Sequence, residues 1–349
     1  MFNIESEDTI DIKKNSSNRL NIQNVSILFS IIVVLNVVLE VILSFLIEKG
    51  LINLNRINED FYGSQIIIQV IYQIFFILAP PIVFLIIFKI DIKKSLKIKP
   101  VSFLNTVLIF FIMCFSLPVM IIVNLGYLSL LKYLFGMEME QIIPLPQDVG
   151  QMIIGLLVIG IFAGVFEEVL FRGVILQGYR ELGAKRAIIL TGFLFGMFHF
   201  DIQRFLGTFL LGILIGFIVY RTGSLISGIF AHIVNNSIIL LLSFLSRDNI
   251  AQEKETEEMM KEMIEAYQIS DTFITTIFVV ITILISLVFI FGFVALVYTL
   301  YVNTKHKNFH QTIKRKLTLK EKLSFLWLVP GLAIICIFYS FDIINALNN

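Results

Sequence analysis

Two adjacent acidic residues, Glu167 and Glu168, lie in an otherwise apolar segment in the middle of the chain, IFAGVFEEVLFRGVIL. Glu168 and Arg172 are four residues apart, so a helix places them on one face, where each offsets part of the other's cost of entering a membrane. Glu167 points about 100° away from that face and has no partner on its own helix. We interpret Glu168 and Arg172 as a supporting ion pair. Glu167 is then an acid that is either matched from another helix or held for chemistry.

Two of the four histidines also lie in apolar segments, His199 in FLFGMFHF and His232 in FAHIVNNSIILL. His232 and Asn236 are four residues apart, so they project from one helix face and can reach one small cavity together. Phe195 lies one turn before His199, and we interpret it as ordinary packing. A lone membrane histidine is as often a hydrogen bonder between helices as a functional group. Together with Glu167, however, these residues favour a functional site.

The chain that carries these polar groups is too apolar for a soluble domain. Of its 349 residues, 57% are hydrophobic and 15% are charged, whereas soluble domains have about 45–50% apolar and about 25% charged residues. Crossing a bilayer takes about 20 apolar residues in helical form. We therefore predict an all-α, polytopic integral membrane protein with about nine transmembrane helices and a helical core that encloses an intramembrane cavity. The predicted spans lie near residues 25–47, 65–88, 104–126, 150–178, 186–200, 205–220, 224–245, 275–301 and 324–346.

The distribution of basic residues predicts the orientation of these spans, because Lys and Arg concentrate in cytoplasmic loops. With the N-terminus inside, 20 of the 27 Lys and Arg residues fall in inside segments, including Lys89–Lys99 and Lys305–Lys322. The acidic run EKETEEMMKEMIEA falls outside. An error of one span would place the two basic loops on opposite sides. We therefore predict a multi-pass protein of the cell membrane, with a cytoplasmic N-terminus and the C-terminus outside.

Glycine separates the middle of the chain from its flanks, since 14 of the 20 glycines fall between Gly150 and Gly228. Three pairs recur four residues apart, a spacing that lets neighbouring helices approach closely. These pairs are Gly160 and Gly164, Gly192 and Gly196, and Gly212 and Gly216. We predict three regions: a polar tail with three flanking helices in residues 1–149, a helical core that carries the buried polar residues in 150–245, and two helices with an acidic and a basic loop in 246–349.

The ordered set of motifs resembles the type II CAAX prenyl protease and bacteriocin-processing family, also called the CPBP or Abi family. The motifs are Glu-Glu-x-x-x-Arg at Glu167, Glu168 and Arg172, Phe-x-x-x-His at Phe195 and His199, and His-x-x-x-Asn at His232 and Asn236. Each motif is weak alone, but the ordered set on apolar helices is specific, and it covers about residues 150–245. The resemblance implies an intramembrane endopeptidase that hydrolyses a membrane-associated peptide or protein.

Two catalytic chemistries remain open under this resemblance. In the first, Glu167 and His199 activate a water molecule, while His232 and Asn236 stabilise the oxyanion. In the second, Glu167, His199 and His232 bind a zinc ion that keeps an open position for water. The sequence does not choose between them, and we favour metal-independent glutamate catalysis slightly.

Two other functions also remain open. The resemblance allows a non-catalytic bacteriocin-immunity factor or a membrane scaffold of the same fold, although the complete set of active residues argues against it. A transporter or proton relay would also bury Glu and His side chains, but no pair of corresponding broken helices in two halves supports one. The net charge of +1 gives no reason to expect nucleic acid. The expected partners are a peptide or protein substrate and the lipid bilayer, and the oligomeric state stays open.

Overall fold

The protein is described by a computed structural model that covers residues 20–49, 61–137, 146–246, 271–305 and 316–348. The N-terminal polar tail, the acidic run and two histidines of the last basic loop lie outside these described residues. Within them every regular element is a helix, which confirms the all-α fold class. Eight of the described helices are long and apolar enough to cross a membrane. The chain is therefore a polytopic membrane protein.

Ten helices and one short 3₁₀-helix, Arg180–Leu182 between the fifth and the sixth, follow one another in the described part of the chain. Three of the ten are continuous through segments of different pitch. Their bounds are α1 (Ile22–Glu48), α2 (Phe61–Tyr72, then Gln73–Leu78 and Ala79–Ile87), α3 (Ile92–Leu96), α4 (Phe103–Phe135), α5 (Val149–Gly155, then Leu156–Phe162, Ala163–Glu168, Val169–Ile175 and Leu176–Gly178), α6 (Ala184–Met197), α7 (Ile202–Thr222), α8 (Leu225–Ser246), α9 (Asp271–Asn303) and α10 (Leu319–Leu323, then Ser324–Leu328 and Val329–Asn348).

The predicted fifth span, residues 186–200, is a shorter helix than a span requires. α6 has 14 residues, which is about 21 Å at 1.5 Å per residue, whereas the hydrocarbon core is about 30 Å thick. His199 consequently lies in the turn after α6 rather than inside a span. The Asp201 carboxylate caps the next helix by accepting from the backbone N–H groups of Gln203 and Arg204. α7 therefore begins at Ile202 and runs for 21 residues, longer than the predicted 205–220.

The glycine pairs lie where the core helices pack most closely. A Cβ atom on Gly212 of α7 would lie 2.9 Å from the Cα atom of Gly192 on α6. A Cβ atom on Gly164 of α5 would lie 3.2 Å from the backbone nitrogen of Ile233 on α8. Both contacts involve backbone, which cannot move aside as a flexible side chain can. The small residues therefore set the spacing of α5, α6, α7 and α8.

We expect Gly212→Ala to destabilise the protein by about 1–3 kcal/mol, since overpacking a close helix contact forces the backbone to shift. Gly126→Ala on α4 is the matched control, because a Cβ atom there meets nothing within 4 Å and alanine favours helix formation. Thermal unfolding of the detergent-purified variants measures the difference. Equal melting temperatures for the two variants would show that the α6–α7 contact does not limit stability.

The flanking helices surround this core and face lipid. α9 packs against α4, and α10 packs against α1. The most apolar stretch of α9 has none of its residues buried inside the protein, and large side chains such as Phe278, Val288 and Phe291 are exposed. Exposed apolar side chains on a spanning helix are solvated by hydrocarbon, so these helices form a jacket around the core.

Three basic connections meet at one end of the helices. The backbone N–H of Leu225 donates to the carbonyl of Lys97, 3.2 Å away, which joins the α2–α4 connection to the start of α8. Arg221, at the end of α7, donates to the carbonyl of Tyr301 at 2.6 Å and to the hydroxyl of Thr304 at 3.0 Å. The ends of α7 and α9 and the loop before α4 therefore share one face of the molecule.

Candidate active site

The two adjacent glutamates lie on α5 between two π-helical segments. Leu156–Phe162 precedes them and Val169–Ile175 follows. A π-helical turn adds a residue to the turn and alters the regular backbone hydrogen bonds, and carbonyls in these segments also accept from side chains. Those bonds run from Gln73 to Val158, from Asn236 to Ile159, from Gln177 to Arg172 and from Ser95 to Gly173. Neighbouring helices thereby fix α5 on both sides of the glutamates.

Glu168 is the centre of a buried polar network. Its Oε1 atom accepts from Nη1 of Arg172 at 2.5 Å and from Nδ1 of His232 at 2.9 Å. Nη2 of Arg172 donates to the carbonyl of Gly212 at 2.9 Å. The side chains of Glu168 and Arg172 are both fully buried. A Cβ atom on Gly228 would lie 2.9 Å from the carboxylate of Glu168, so this glycine makes room for it. The network ties α5, α7 and α8 together.

Glu167 differs from its neighbour in making no side-chain hydrogen bond within the part of the chain that the structure describes. The Oε2 atoms of both glutamates are buried without a partner there, but Oε1 of Glu168 accepts two hydrogen bonds. Among the described basic side chains, the nearest nitrogen to Oε2 of Glu167 is Nε2 of His232. The two atoms are 3.9 Å apart, which is too far for a hydrogen bond. The side chain is 12% exposed. A carboxylate oxygen in this position can accept a proton from a small molecule that enters the gap.

His199 is oriented by the backbone of its own helix. Its Nδ1 atom lies 2.9 Å from the carbonyl oxygen of Phe195. A carbonyl oxygen only accepts hydrogen bonds, so Nδ1 carries the hydrogen and Nε2 of the neutral ring is left with a lone pair. His199 therefore presents a proton-accepting nitrogen away from α6.

Phe195 connects the two histidines. Its ring centroid lies 5.1 Å from the ring of His199 and 5.8 Å from that of His232, with the planes at steep angles. The guanidinium of Arg172 lies over the same ring at 4.8 Å, a cation–π arrangement. Phe195 is 1% exposed. It packs as expected from the sequence, but its partners are the polar groups of the site, which the sequence did not indicate.

Asn236 lies one turn beyond His232 on α8. Its Nδ2 donates to the carbonyl of Ile159 at 2.9 Å, and its Oδ1 accepts from Nδ2 of Asn235 at 3.1 Å. One of the two hydrogens on Nδ2 remains for another acceptor. The side chain therefore joins α8 to the π-helical turn of α5, and one of its N–H groups is available to donate to another acceptor.

The geometry joins Glu167, Glu168, Arg172, Phe195 and His232 through direct contacts, and Phe195 adds His199. Residues 149–238 match the family described as Type II CAAX prenyl endopeptidase Rce1-like. For this similarity we call the segment the Rce1-like domain. The match confirms the resemblance to CAAX proteases that the ordered motifs indicated. No curated protein and no solved structure matches the chain.

The second span, outside the Rce1-like domain, also contributes a polar group near the site. The π-helical turn Gln73–Leu78 packs against Ala163–Glu168. Gln73 is fully buried and donates to the carbonyl of Val158 on α5, 3.3 Å away. The sequence signal that could have indicated this contact is the polar Gln73 in an apolar run.

The three candidate zinc ligands do not fit a metal site in this arrangement. Among the described residues, no group of three or more His, Cys, Asp or Glu side chains is placed to hold a metal ion. Nε2 of His232 lies 3.9 Å from Oε2 of Glu167, but His199 does not join them in a set of three ligands among the described residues. The Rce1-like domain therefore provides a carboxylate and two imidazoles as separate acid–base groups.

We expect peptidase activity of the purified protein to survive treatment with a strong chelator, because these groups are not arranged as zinc ligands. Activity before and after chelation, together with elemental analysis of the active protein, measures this. A membrane-embedded zinc metalloprotease treated in parallel shows that the chelator reaches such sites. Loss of activity that added zinc restores would contradict the expectation.

Proposed function

We propose that the Rce1-like domain is an intramembrane endopeptidase in which Glu167 acts as general base. The observation that carries this proposal is the buried Oε2 atom of Glu167, which has no partner among the described residues, on a side chain that makes no hydrogen bond there, whereas the adjacent Glu168 pairs with Arg172 and His232. A buried unpaired carboxylate at membrane depth is costly. Its retention 3.9 Å from Nε2 of His232 supports a catalytic role.

In the proposed first step, a water molecule attacks the carbonyl carbon of the scissile peptide bond. Glu167 takes one proton from this water, and Nε2 of His199 accepts a hydrogen bond from it and orients it. The new bond joins the water oxygen to the carbonyl carbon, and the carbonyl electron pair moves onto its oxygen. The result is a tetrahedral intermediate that carries one negative charge.

His232 and Asn236 are the proposed donors to that oxyanion. Glu168 accepts from Nδ1 of His232 at 2.9 Å and, with Arg172, holds the ring in place. Nε2 of His232 then faces the reacting oxygen and donates to it when it carries a hydrogen. Asn236 supplies the hydrogen of Nδ2 that Ile159 does not use. These two donors stabilise a charge that develops only during the reaction.

Collapse of the intermediate breaks the carbon–nitrogen bond. Glu167 returns its proton to the leaving amine, so the products are a carboxylic acid and a free amine and the site is regenerated. The substrate is proposed to be a membrane-associated peptide or protein, because the site lies between helices that face lipid.

The proposed orientation places the N-terminus in the cytoplasm and the C-terminus outside the cell membrane. It rests on the 20 of 27 Lys and Arg residues assigned to inside segments. The contacts of Lys97, Arg221 and Thr304 at one end of the helices support it, because they bring the basic connections to a common face.

α6 is too short for a full span, but it packs antiparallel on α7, with Gly196 against Phe209 and Gly216 against Ile188. It therefore carries the chain away from the cytoplasmic face before α7 returns it, and α6 with the eight long helices keeps the nine passes of the predicted topology.

Comparative peptidomics of cells that express the wild-type chain or Glu167→Gln tests the function and identifies the substrate. We expect a peptide or protein precursor to accumulate in the variant. Glu181→Gln is the control, since Glu181 is an exposed acid outside the site. If Glu167→Gln accumulates no precursor relative to this control, the peptidase proposal fails.

A further inference from the structure

A shallow cleft with basic walls lies at the Arg180 end of the helices, separate from the candidate active site. It is formed by the connection before α4, the end of α5 and the end of α7. Its lining side chains are Lys97, Leu176, Gln177, Arg180, Val219 and Tyr220. Of these six, two are cationic and none is acidic. The cleft therefore combines two positive charges with polar and apolar neighbours.

The backbone of Lys97 is held in an unusual conformation. Its φ angle is +49°, in the left-handed region that side chains other than glycine rarely adopt. The carbonyl of Lys97 accepts from the backbone N–H of Leu225, and the carbonyl of Lys99 accepts from the hydroxyl of Ser224. The first turn of α8 thus fixes the connection in a strained shape that directs Lys97 to the cleft.

The charges in the cleft repel one another. Burial, followed by the nearby charges of Arg180 and Lys99, lowers the pKa of Lys97 to about 8. Nε of Arg180 is buried and has no hydrogen-bond partner among the described residues. A buried guanidinium donor without an acceptor is unfavourable, and so is a second cation beside it. An anion with several acceptor oxygens would relieve both conditions at once.

The position of the cleft indicates the source of such an anion. Lys97 and Lys99 lie between the spans that end at Ile87 and begin at Phe103, and Arg180 follows the span that ends at Gly178. This is the level at which lipid headgroups meet the protein. Basic pockets between transmembrane helices bind anionic headgroups at this level. Guanidinium groups bind phosphate through charge-assisted hydrogen bonds.

We propose that this cleft binds the anionic phosphate of a membrane lipid headgroup, with Arg180 and Lys97 as its cationic contacts. Gln177 connects the cleft to the active-site helix, since its side-chain amide donates to the carbonyl of Arg172 at 3.0 Å. A lipid bound here contacts the same helix that carries Glu167. The proposal concerns binding and does not depend on peptidase activity.

The test compares two double variants that remove the same charge from the same end of the protein. Lys97→Gln/Arg180→Gln changes the cleft, whereas Lys185→Gln/Arg186→Gln changes two exposed cations at the start of α6. Each full-length protein is placed in phosphatidylcholine nanodiscs doped with phosphatidylglycerol, and native mass spectrometry counts the retained phosphatidylglycerol. We expect the cleft variant to bind phosphatidylglycerol about tenfold more weakly and the control to bind normally. Equal losses of phosphatidylglycerol binding in both variants would show that the effect comes from surface charge in general, and this would overturn the proposal.

A second measurement follows the pKa of Lys97 in the wild-type protein. Reductive methylation with isotope-labelled methyl groups gives an NMR signal for Lys97, which Lys97→Gln assigns by its disappearance. Phosphatidylglycerol is expected to raise the pKa of Lys97 above about 8, because a bound phosphate favours the charged ammonium. Inorganic phosphate is added in a parallel sample to distinguish a free anion from a lipid. An unchanged pKa with phosphatidylglycerol, or a rise with inorganic phosphate alone, would overturn the assignment to a lipid headgroup.

Discussion

Glu167→Gln is expected to lower kcat/KM for peptide cleavage by about 10²–10⁴-fold, the range typical of a lost general base. Glutamine has nearly the same shape as glutamate, but its amide cannot take a proton from water. The fold should be retained, because Oε2 of Glu167 makes no hydrogen bond with any described residue that the substitution could break. Cleavage of the substrate found by peptidomics, measured with the protein in lipid nanodiscs, gives the rate.

The stability of the same variant separates a catalytic role from a structural one. Removing a buried, unpaired carboxylate eliminates its desolvation cost, so we expect the melting temperature of Glu167→Gln to stay the same or rise. Wild-type cleavage rates in this variant would reject Glu167 as the general base. A fall in activity that parallels a fall in melting temperature would assign Glu167 to the fold instead.

Glu168→Gln, in contrast to Glu167→Gln, is expected to destabilise the fold. We expect it to lower the free energy of unfolding by about 3–5 kcal/mol. Glu168 accepts from Arg172 and from His232, and its side chain and that of Arg172 are fully buried. Removing one charge of a buried pair leaves the other without compensation. Denaturation in detergent, followed by loss of helical signal, measures the difference from wild type.

Glu167→Gln is the matched control for this second prediction, because it removes the same charge from the adjacent position on α5. A double variant, Glu168→Met/Arg172→Met, removes both charges, and we expect it to recover part of the stability lost in Glu168→Gln, since apolar side chains can replace a buried ion pair. If Glu168→Gln and Glu167→Gln are equally stable, Glu168 is not the structural centre of the network.

Composition and helical spacing are enough to predict the membrane class and most of the candidate residues. Runs of about 20 apolar residues can form spans because only helices satisfy their backbone hydrogen bonds in lipid without partners. The four-residue spacing of Glu168 and Arg172 places them together whatever the rest of the fold does. Local chemistry of this kind depends on helix geometry alone, and so does the face shared by His232 and Asn236.

The tertiary structure decided how these residues differ from one another. Only the packing of α8 on α5 brings His232 within 2.9 Å of Glu168 and leaves it 3.9 Å from Glu167. The end of α6 at Met197 depends on the Asp201 cap and the contact with α7, which apolar periodicity does not predict. Contacts of Phe195 with both histidines arise between separate helices. Residue spacing predicts which side chains are neighbours on one helix. Which side chains meet between two helices depends on how closely the backbones approach, and the glycines on the facing sides set that distance.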